Sequence, residues 1–296
     1  LAGDILRWLH SKRPELFERF EYGIIEPSQR RREWQKEKLL PFAPRVRWYD
    51  VLENLGSVTP GFSGIIFCNE LLDSMPVRRL GWDAKHKKWF EWGVTLEAEK
   101  FVWARCDNSL FHPMGEGAQR AGEGGAISRS VLGIPFPSSI LDFPSSLLAV
   151  LPDNYTIEIS PAAENWWRDA ANVLERGRLM TIDYGFTSEE MVSPGRNQGT
   201  LRGYIRHRVA DDVLANAGEQ DITAHVNFSA IQAAGESAGL KTEMFSTQAQ
   251  FLTRILGRTL KDKSFGEWDA TRTRQFQTLT HPEHLGRPFR VLVQSR

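Results

Sequence analysis

The sequence predicts an α/β protein with a doubly wound parallel sheet and an inserted antiparallel β meander. Three observations support this fold class. Short apolar runs alternate with helical patterns over residues 20–68, which is the rhythm of β-α-β units. The run Gly64–Cys68 contains no polar side chain before its cysteine, as expected for a strand buried on both faces. After Val77, segments rich in tryptophan and joined by polar turns replace that rhythm.

The elements before Val77 follow from apolar spacing and stop signals. Ile5, Leu6 and Leu9 recur at helical spacing, and Pro14 stops that helix. We predict helices over residues 2–12 and 28–40, and strands over Phe20–Ile25, Arg45–Tyr49 and Gly64–Cys68.

The central part of the chain reads as an insertion. The meander strands are predicted over Arg78–Trp82, Lys88–Val94 and Lys100–Ala104. Residues 107–146 are rich in Gly, Ser and Pro. Their glycines do not lie between a strand and a helix, which favours a mobile loop over a phosphate-binding one.

The sheet pattern resumes at Tyr155–Ser160, and a long loop over residues 186–223 follows later. A loop of this length without regular structure is usually functional or disordered, and we interpret it as a lid or peptide-binding element. The domain boundaries are therefore 1–76, 77–154 and 155–296. Further strands are predicted over Arg178–Ile182, Leu240–Phe245 and Phe289–Val293, and helices over 161–175 and 227–238.

Composition excludes several classes of protein. Lysine plus arginine equals aspartate plus glutamate at 37 each, so no overall field draws the chain to nucleic acid or to an anionic membrane. Cys68 and Cys106 form neither a disulfide framework nor a metal-binding pattern, which fits a reducing compartment. Without a membrane-length apolar run or a visible signal peptide, we expect a soluble intracellular protein.

Polar residues end the buried strand abruptly. In open α/β sheets, ligands bind beyond the carboxyl ends of the strands, where Asn69, Glu70 and Asp73 stand. If a helical turn starts at Asn69, Glu70 and Asp73 share one face and form a pair of carboxylates for binding a cation or accepting its proton. Alternatively, Asn69 caps the helix and the acids only favour its first turn.

Six motifs carry a family resemblance. In their order along the chain, they closely resemble the MidA-like methyltransferases, whose mitochondrial members support assembly of respiratory complex I. The resemblance spans nearly the whole chain. It implies a Rossmann-like, seven-stranded methyltransferase fold, S-adenosyl-L-methionine as cofactor and methylation of an arginine side chain on a partner protein. The motifs are Glu26-Pro27-Ser28, Asn69-Glu70-Leu71-Leu72-Asp73, Glu158-Ile159-Ser160-Pro161, Asp183-Tyr184-Gly185, Gly199-Thr200-Leu201-Arg202 and the stretch from Gly218 to Phe228.

The resemblance places the cofactor-binding residues at three strand ends. Glu26, with Pro27 and Ser28 beside it, is expected to accept hydrogen bonds from both ribose hydroxyls, because acids recur at this strand end in nucleotide-binding folds. A simple turn acid is the alternative. Asp50 is either a contact to the adenine amino group or a loop cap. Asn69 is expected to face the methionine portion of the cofactor.

For catalysis, we expect Glu70 to lead and Asp73 to assist. They would bind a substrate guanidinium through charge-assisted hydrogen bonds, and one of them would take its proton. The substrate-binding candidates include Asp183 and Tyr184, for which a structural turn is the alternative. Gly199, Thr200, His207 and His225 complete this set, and the histidines lack a metal-ligand pattern.

The family pattern also predicts a first strand and a Gly-rich loop upstream of Leu1, and we expect both in the native protein. The expected partner is a protein such as a respiratory-chain subunit, in the bacterial cytoplasm or the mitochondrial matrix. The oligomeric state is open, and a dimer is compatible with the sequence. Two alternatives remain: a non-catalytic assembly scaffold on the same fold, and a nicotinamide-dependent oxidoreductase on a similar sheet.

Overall fold

The computed structural model describes residues 1–58, 61–106, 145–206, 208–261 and 268–296. The loop expected over residues 107–146 therefore lies almost wholly outside the described residues. The chain forms two compact units, and each is described by itself. Unit 1 comprises Leu1–Gly64 and Asp169–Gly177, and unit 2 comprises Ile65–Arg168 and Arg178–Arg296.

Unit 1 contains the strands and helices predicted for its part of the chain. Strands β1 and β2 are parallel and in register from Tyr22 opposite Val46 to Ile25 opposite Tyr49. A buried apolar cluster that includes Leu6 packs the first helix onto this part. The elements are α1 Ala2–Lys12, α2 Pro14–Phe17, β1 Tyr22–Ile25, α3 Gln29–Lys38, β2 Val46–Tyr49 and α4 Leu52–Val58.

The rest of the chain supplies twelve strands and six α-helices among the described residues. The strands are β3 Phe62–Asn69, β4 Arg78–Asp83, β5 Lys88–Glu97, β6 Lys100–Cys106, β7 Thr156–Ile159, β8 Leu174–Phe186, β9 Arg202–Ile205, β10 Arg208–Ala210, β11 Asp221–Thr223, β12 Val226–Asn227, β13 Lys241–Thr247 and β14 Phe289–Ser295. The helices are α5 Ser145–Leu148, α6 Pro161–Val173, α7 Ser188–Met191, α8 Phe228–Ser237, α9 Gln248–Lys261 and α10 Ala270–Thr280.

Strand β8 is the centre of the main sheet. It pairs with β3, with β12 in parallel and with β14 in antiparallel orientation, and β13 follows β14. The sheet is therefore mixed rather than wholly parallel. Because β3 and β12 both pair with β8, the chain segments that follow Asn69 and precede Val226 come close to the end of β8.

The meander forms a separate sheet of four strands in the order β6-β5-β4-β7. We expected the segment at Tyr155 to resume the parallel sheet, but β7 pairs antiparallel with β4, from Arg78 opposite Ile159 to Gly81 opposite Thr156. All four β7 side chains are buried, so burial alone did not distinguish the two sheets. Trp82 packs edge-on against its neighbour Trp89 within this sheet, with ring centroids 5.1 Å apart.

The long loop over residues 186–223 contains regular structure, contrary to expectation. Its first element is α7, whose N-terminus is capped by a capping box between Thr187 and Glu190. A small antiparallel sheet follows, with the strand order β10-β9-β11. We call residues 186–223 the substrate-side loop, after the lid or peptide-binding role that the sequence predicts for them and that stays a prediction. Among the described helices, none combines the length and the apolar character needed to cross a membrane.

Candidate active site

The turn after β3 differs from the predicted helical turn. Glu70 has a positive φ of 49°, a left-handed conformation that a helix cannot continue. Its backbone N–H donates to the Ile182 carbonyl at 3.0 Å, which extends the pairing between β3 and β8 by one residue. The Asn69 side chain does not cap a helix, because its amide donates to Glu70 Oε1 at 2.9 Å.

Asp73 follows three residues later and is buried, with 7% of its surface exposed. Its Oδ1 atom has no hydrogen-bond partner among the described residues. Burial and the nearby charge of Glu70 raise the pKa of Asp73 to about 6. The structure thus brings together the two acids that the sequence paired, although a turn rather than a helix positions them.

Asp183, at the end of β8, holds that turn in place. Its Oδ2 atom accepts hydrogen bonds from the backbone N–H groups of Leu72 at 3.0 Å and Asp73 at 3.4 Å. Its Oδ1 atom accepts from the Tyr184 N–H at 2.8 Å. Burial, with the charge of Asp73 second, raises the pKa of Asp183 to about 7. We call Glu70, Asp73 and Asp183 the acidic site.

Tyr184 borders the acidic site. Burial raises the pKa of Tyr184 to about 12, and the charge of Glu70 is the next contribution. The Tyr184 ring packs at a tilt of 40° against the Phe289 ring, with ring centroids 3.9 Å apart, and meets the His225 ring edge-on with centroids 6.3 Å apart. Three carboxyl groups near one half-buried phenol make a region that favours a cationic ligand, because a cation would relieve their mutual repulsion.

His225 lies beside this region. Burial, followed by the positive charges of Arg202 and Arg196, lowers the pKa of His225 to about 4, so the ring is neutral at neutral pH. No group of three or more His, Cys, Asp or Glu side chains in the described part of the chain is arranged to hold a metal ion. His207 lies outside the described residues, so its predicted role stays a prediction.

Gly199 and Thr200 contact an acid that the sequence reasoning did not select as a site residue, Glu158 on β7. Glu158 Oε2 accepts hydrogen bonds from the Thr200 backbone N–H at 2.6 Å and from its hydroxyl at 3.1 Å. Thr200 Oγ1 in turn accepts from the His225 N–H at 3.1 Å. The signal was present: Glu158 is the one charged side chain in the apolar strand Thr156–Ile159, and it belongs to a family motif.

In unit 1, Glu26 stands directly after β1, as predicted. Its Oε1 accepts from the Ser28 N–H at 3.0 Å, and its Oε2 accepts from the Gln35 amide at 3.2 Å. Each oxygen keeps a further lone pair, so the carboxylate is held in one orientation and still has acceptor capacity for two hydroxyls. Ser28 caps α3 through the Arg31 N–H, and Pro27 between them is exposed.

Asp50, after β2, is exposed and forms an ion pair with Arg32. Its predicted contact to the adenine amino group stays a prediction, since the pair with Arg32 is equally compatible with the alternative of a loop cap. Glu26 and Asp50 follow neighbouring parallel strands, so they share the carboxyl edge of the β1-β2 sheet.

Comparisons with known proteins agree with this architecture. A family model described as "Putative S-adenosyl-L-methionine-dependent methyltransferase" matches residues 1–246. A crystal structure of an uncharacterized protein from Burkholderia thailandensis shares 32% sequence identity over 93% of this chain, with a TM-score of 0.68. A second structure, of a superfamily member and "likely methyl transferase" from the same organism bound to S-adenosyl-homocysteine, shares 31% identity over 93% of this chain, with a TM-score of 0.67.

This chain covers 66% and 64% of those two structures, slightly less than two thirds of each. No curated protein sequence matches it significantly. The structural similarity confirms the predicted methyltransferase fold, and the family match agrees with the resemblance carried by the six motifs. The chain belongs to this family of S-adenosyl-L-methionine-dependent methyltransferases.

Proposed function

We propose that the protein transfers a methyl group from S-adenosyl-L-methionine to an arginine side chain of a partner protein. The observation that supports the proposal most strongly is the acidic site. In it, Asp73 is buried close to the charge of Glu70, and its Oδ1 atom has no hydrogen-bond partner among the described residues. A buried acid of this kind is costly to the fold unless a ligand compensates for it, and a guanidinium ion is a ligand that fits two carboxylates.

The residues of unit 1 fit the cofactor. Glu26 would hold the ribose hydroxyls, since the Ser28 and Gln35 hydrogen bonds fix its carboxylate and leave acceptor capacity on both oxygens. Asn69 lies in unit 2, and the resemblance alone supports its proposed contact with the methionine portion. When bound, S-adenosyl-L-methionine supplies an electrophilic methyl group on a positively charged sulfur.

Glu70 is suited to orienting the guanidinium. Its side chain is exposed, and the Asn69 amide occupies Oε1, which leaves Oε2 for a substrate N–H group. A charge-assisted hydrogen bond to an arginine nitrogen is directional, so Glu70 would fix which nitrogen faces the reacting carbon.

Asp73 is suited to removing the proton. The guanidinium of arginine has a pKa above about 12 and is protonated at neutral pH, so one proton must leave as its nitrogen forms the new bond to carbon. Asp73, with its pKa raised to about 6, is mostly ionised at neutral pH and is a stronger base than an ordinary aspartate. Its Oδ1 would accept the proton and later release it to water, while the methylated side chain keeps its positive charge.

The partner is proposed to be a protein of the respiratory-chain assembly type, on the strength of the MidA-like resemblance. The folded substrate-side loop supports a macromolecular substrate, because an ordered surface next to the acidic site would contact residues that flank the arginine.

Cofactor binding is the first test. S-adenosyl-homocysteine is titrated into the full-length protein by calorimetry, beside Glu26→Ala and the control Glu33→Ala, which removes an exposed acid from α3. We expect wild type and Glu33→Ala to bind and Glu26→Ala to bind at least tenfold more weakly, as loss of hydrogen bonds to a charged acceptor predicts. Absence of binding to wild type would contradict the methyltransferase proposal and favour the scaffold alternative.

Methyl transfer to arginine is the second test. The protein and tritiated S-adenosyl-L-methionine are incubated with an extract from cells that lack the gene, and the labelled residue is identified by mass spectrometry. Label on arginine with wild type, and none with Asp73→Asn, is the expected result. Label confined to another residue type would leave the methyltransferase proposal standing but refute arginine as the substrate.

A further inference from the structure

We infer that Glu158 is a positioning residue, which fixes the substrate-side loop to the turn that carries Asp73. The inference rests on the proposed function, because it assigns Glu158 a role in orienting the proposed proton acceptor. Two of the family motifs, those that begin at Glu158 and at Gly199, have no other role in the proposed mechanism.

Glu158 is an unfavourable residue at its position unless its contacts compensate. It is 2% exposed, and burial raises the pKa of its carboxyl group, opposed by the Thr200 hydrogen bonds and the Arg79 charge. Arg79 Nε lies 3.4 Å from Glu158 Oε1, which has no hydrogen bond among the described residues. A buried ion pair seldom stabilises a fold more than apolar side chains of the same size, so stability alone does not explain this acid.

The pair of Glu158 and Arg79 binds a single turn of the substrate-side loop. Arg79 Nη2 donates to the Gln198 carbonyl at 2.8 Å, and Glu158 Oε2 accepts both hydrogen bonds from Thr200. Between them, Gly199 has a φ of +74°, and a Cβ atom there would collide with Glu158 Oε1. Glycine at this position allows the turn to close on the carboxylate.

The same turn reaches Asp73 through two more hydrogen bonds. Thr200 Oγ1 accepts from the backbone N–H of His225 at 3.1 Å. The preceding residue, Ala224, donates its N–H to the Asp73 carbonyl at 2.9 Å. The substrate-side loop is thus held near its middle by Glu158, and the segment that follows it is held by Asp73.

This arrangement makes the orientation of Asp73 depend on the loop. Asp73 Oδ1 has no hydrogen-bond partner among the described residues, and the hydrogen bonds that favour the ionised Asp73 carboxylate come from the backbone of Ser74 and of Asp73 itself, so the backbone of this turn orients the carboxylate. That backbone is held at its N–H by Asp183 and at its carbonyl by Ala224. Loss of the Glu158–Thr200 contact would free one of these two supports and misplace the carboxylate relative to a bound guanidinium.

Hydrogen exchange tests the link without a substrate. Thr200→Val keeps the shape of the side chain but removes both hydroxyl hydrogen bonds, whereas Thr200→Ser keeps them. Thr278→Val is the control for losing a hydroxyl elsewhere in unit 2, where Thr278 Oγ1 donates to the Arg274 carbonyl on an exposed part of α10. In Thr200→Val we expect the Ala224 and His225 amides to exchange about tenfold faster, with wild-type rates in the other two variants.

Kinetics then distinguish positioning from a merely structural contact. With an arginine protein substrate found by the labelling experiment, Thr200→Val and Glu158→Gln should lower kcat about tenfold, Thr200→Ser should restore it, and the affinity for S-adenosyl-homocysteine should not change. Unchanged exchange at Ala224 and His225 in Thr200→Val would overturn the inference whether or not the protein transfers methyl groups. Faster exchange with an unchanged kcat would overturn the positioning role and leave the proposed function intact.

Discussion

The carboxylate of Asp183 accepts a hydrogen bond from the backbone N–H of Leu72 at 3.0 Å, which joins the ends of β3 and β8. Further N–H groups, from Asp73 and Tyr184, point at the same side chain. These donors favour the ionised carboxylate, but complete burial and the neighbouring Asp73 oppose ionisation and raise the pKa of Asp183 to about 7. The turn of the acidic site is therefore built on an acid that titrates near neutral pH.

This pKa predicts how stability depends on pH in Asp183→Asn. The pKa of Asp183 is raised from 3.8 to about 7 by folding, so the native state binds more protons than the unfolded state between those values. The free energy of unfolding of wild type must then fall as pH rises through this range, by up to roughly 1.4 kcal/mol for each unit of the pKa shift. Asparagine does not titrate, so the variant should gain stability relative to wild type from about pH 4 to pH 7.

Urea unfolding at several pH values measures this difference. Asp211→Asn, which removes an exposed acid, should follow wild type at a constant offset. If the free energy of unfolding of Asp183→Asn also differs from that of wild type by a constant amount at every pH, Asp183 has the same pKa in the folded and unfolded states, contrary to the prediction.

The charge of Glu70 is predicted to hold the pKa of Asp73 above its ordinary value. Burial is the larger cause and Glu70 the second, so Glu70→Gln should bring the pKa of Asp73 below about 6 without returning it to 3.8. The measurement is a carbon-13 NMR titration of labelled aspartate carboxyl groups, in which Asp73→Asn identifies the resonance. Glu99→Gln, at the turn between β5 and β6, is the control and should leave the pKa of Asp73 unchanged.

The meeting of Asn69, Glu70, Asp73 and Asp183 at one edge could be predicted from the sequence, because each follows a buried apolar run and strand ends share an edge in this class of sheet. The local backbone could not. Spacing suggested a helical turn, but Glu70 instead continues the pairing with β8 through its N–H and takes a left-handed φ. The hydrogen bond from Glu70 to strand β8 determines this backbone conformation, and a bond to a strand so distant along the chain cannot be predicted from the residues around Glu70.

Contacts between distant segments account for the other differences. A buried strand such as β7 fits either sheet by composition, and the antiparallel partner β4 determined which one it joined. The sequence shows Glu158 as an acid in an apolar strand. Its structural role, however, depends on its hydrogen bond with Thr200, and only the fold brings these two residues together. Helices α9 and α10 were not predicted at all, although Gln and Arg, which favour helices, recur in both and no Pro interrupts either one.

The close approach of Gly199 to Glu158 predicts that Gly199→Ala is more destabilising than its backbone conformation alone requires. A left-handed φ costs alanine roughly 1 kcal/mol, and the collision of its Cβ with the carboxylate adds to that cost. Gly218→Ala is a matched control, because Gly218 has a φ of +88° and, apart from Gly218 and its two chain neighbours, no described residue has an atom within 4 Å of the place that an alanine Cβ would take. We expect Gly199→Ala to lower the free energy of unfolding by about 2–4 kcal/mol and Gly218→Ala by about 1 kcal/mol. Equal losses in denaturant unfolding would show that the carboxylate moves away without cost.

Gln294 on β14 is predicted to be essential for packing α6 and α8 on unit 2's sheet. Its side chain is fully buried, and its Oε1 accepts from the Trp167 indole N–H at 2.7 Å. Its amide donates to the Gln232 backbone carbonyl and to the Thr242 hydroxyl, both at 2.9 Å. Both N–H donors of the Gln294 amide and one of the two acceptor sites on its oxygen are therefore used inside the protein.

Gln294→Leu keeps nearly the same volume but leaves the Trp167 indole N–H and the Gln232 carbonyl buried without the partners that Gln294 supplies. Each unpaired group costs about 1–3 kcal/mol, so we expect the free energy of unfolding to fall by about 2–4 kcal/mol. Gln232→Ala is the matched control, because it removes an amide that contacts Glu236 at the surface and keeps the backbone carbonyl that Gln294 binds. Its effect should stay within about 0.5 kcal/mol. If urea unfolding shows similar small losses for both variants, water reaches the buried groups, and the side chain of Gln294 is not what holds these elements together.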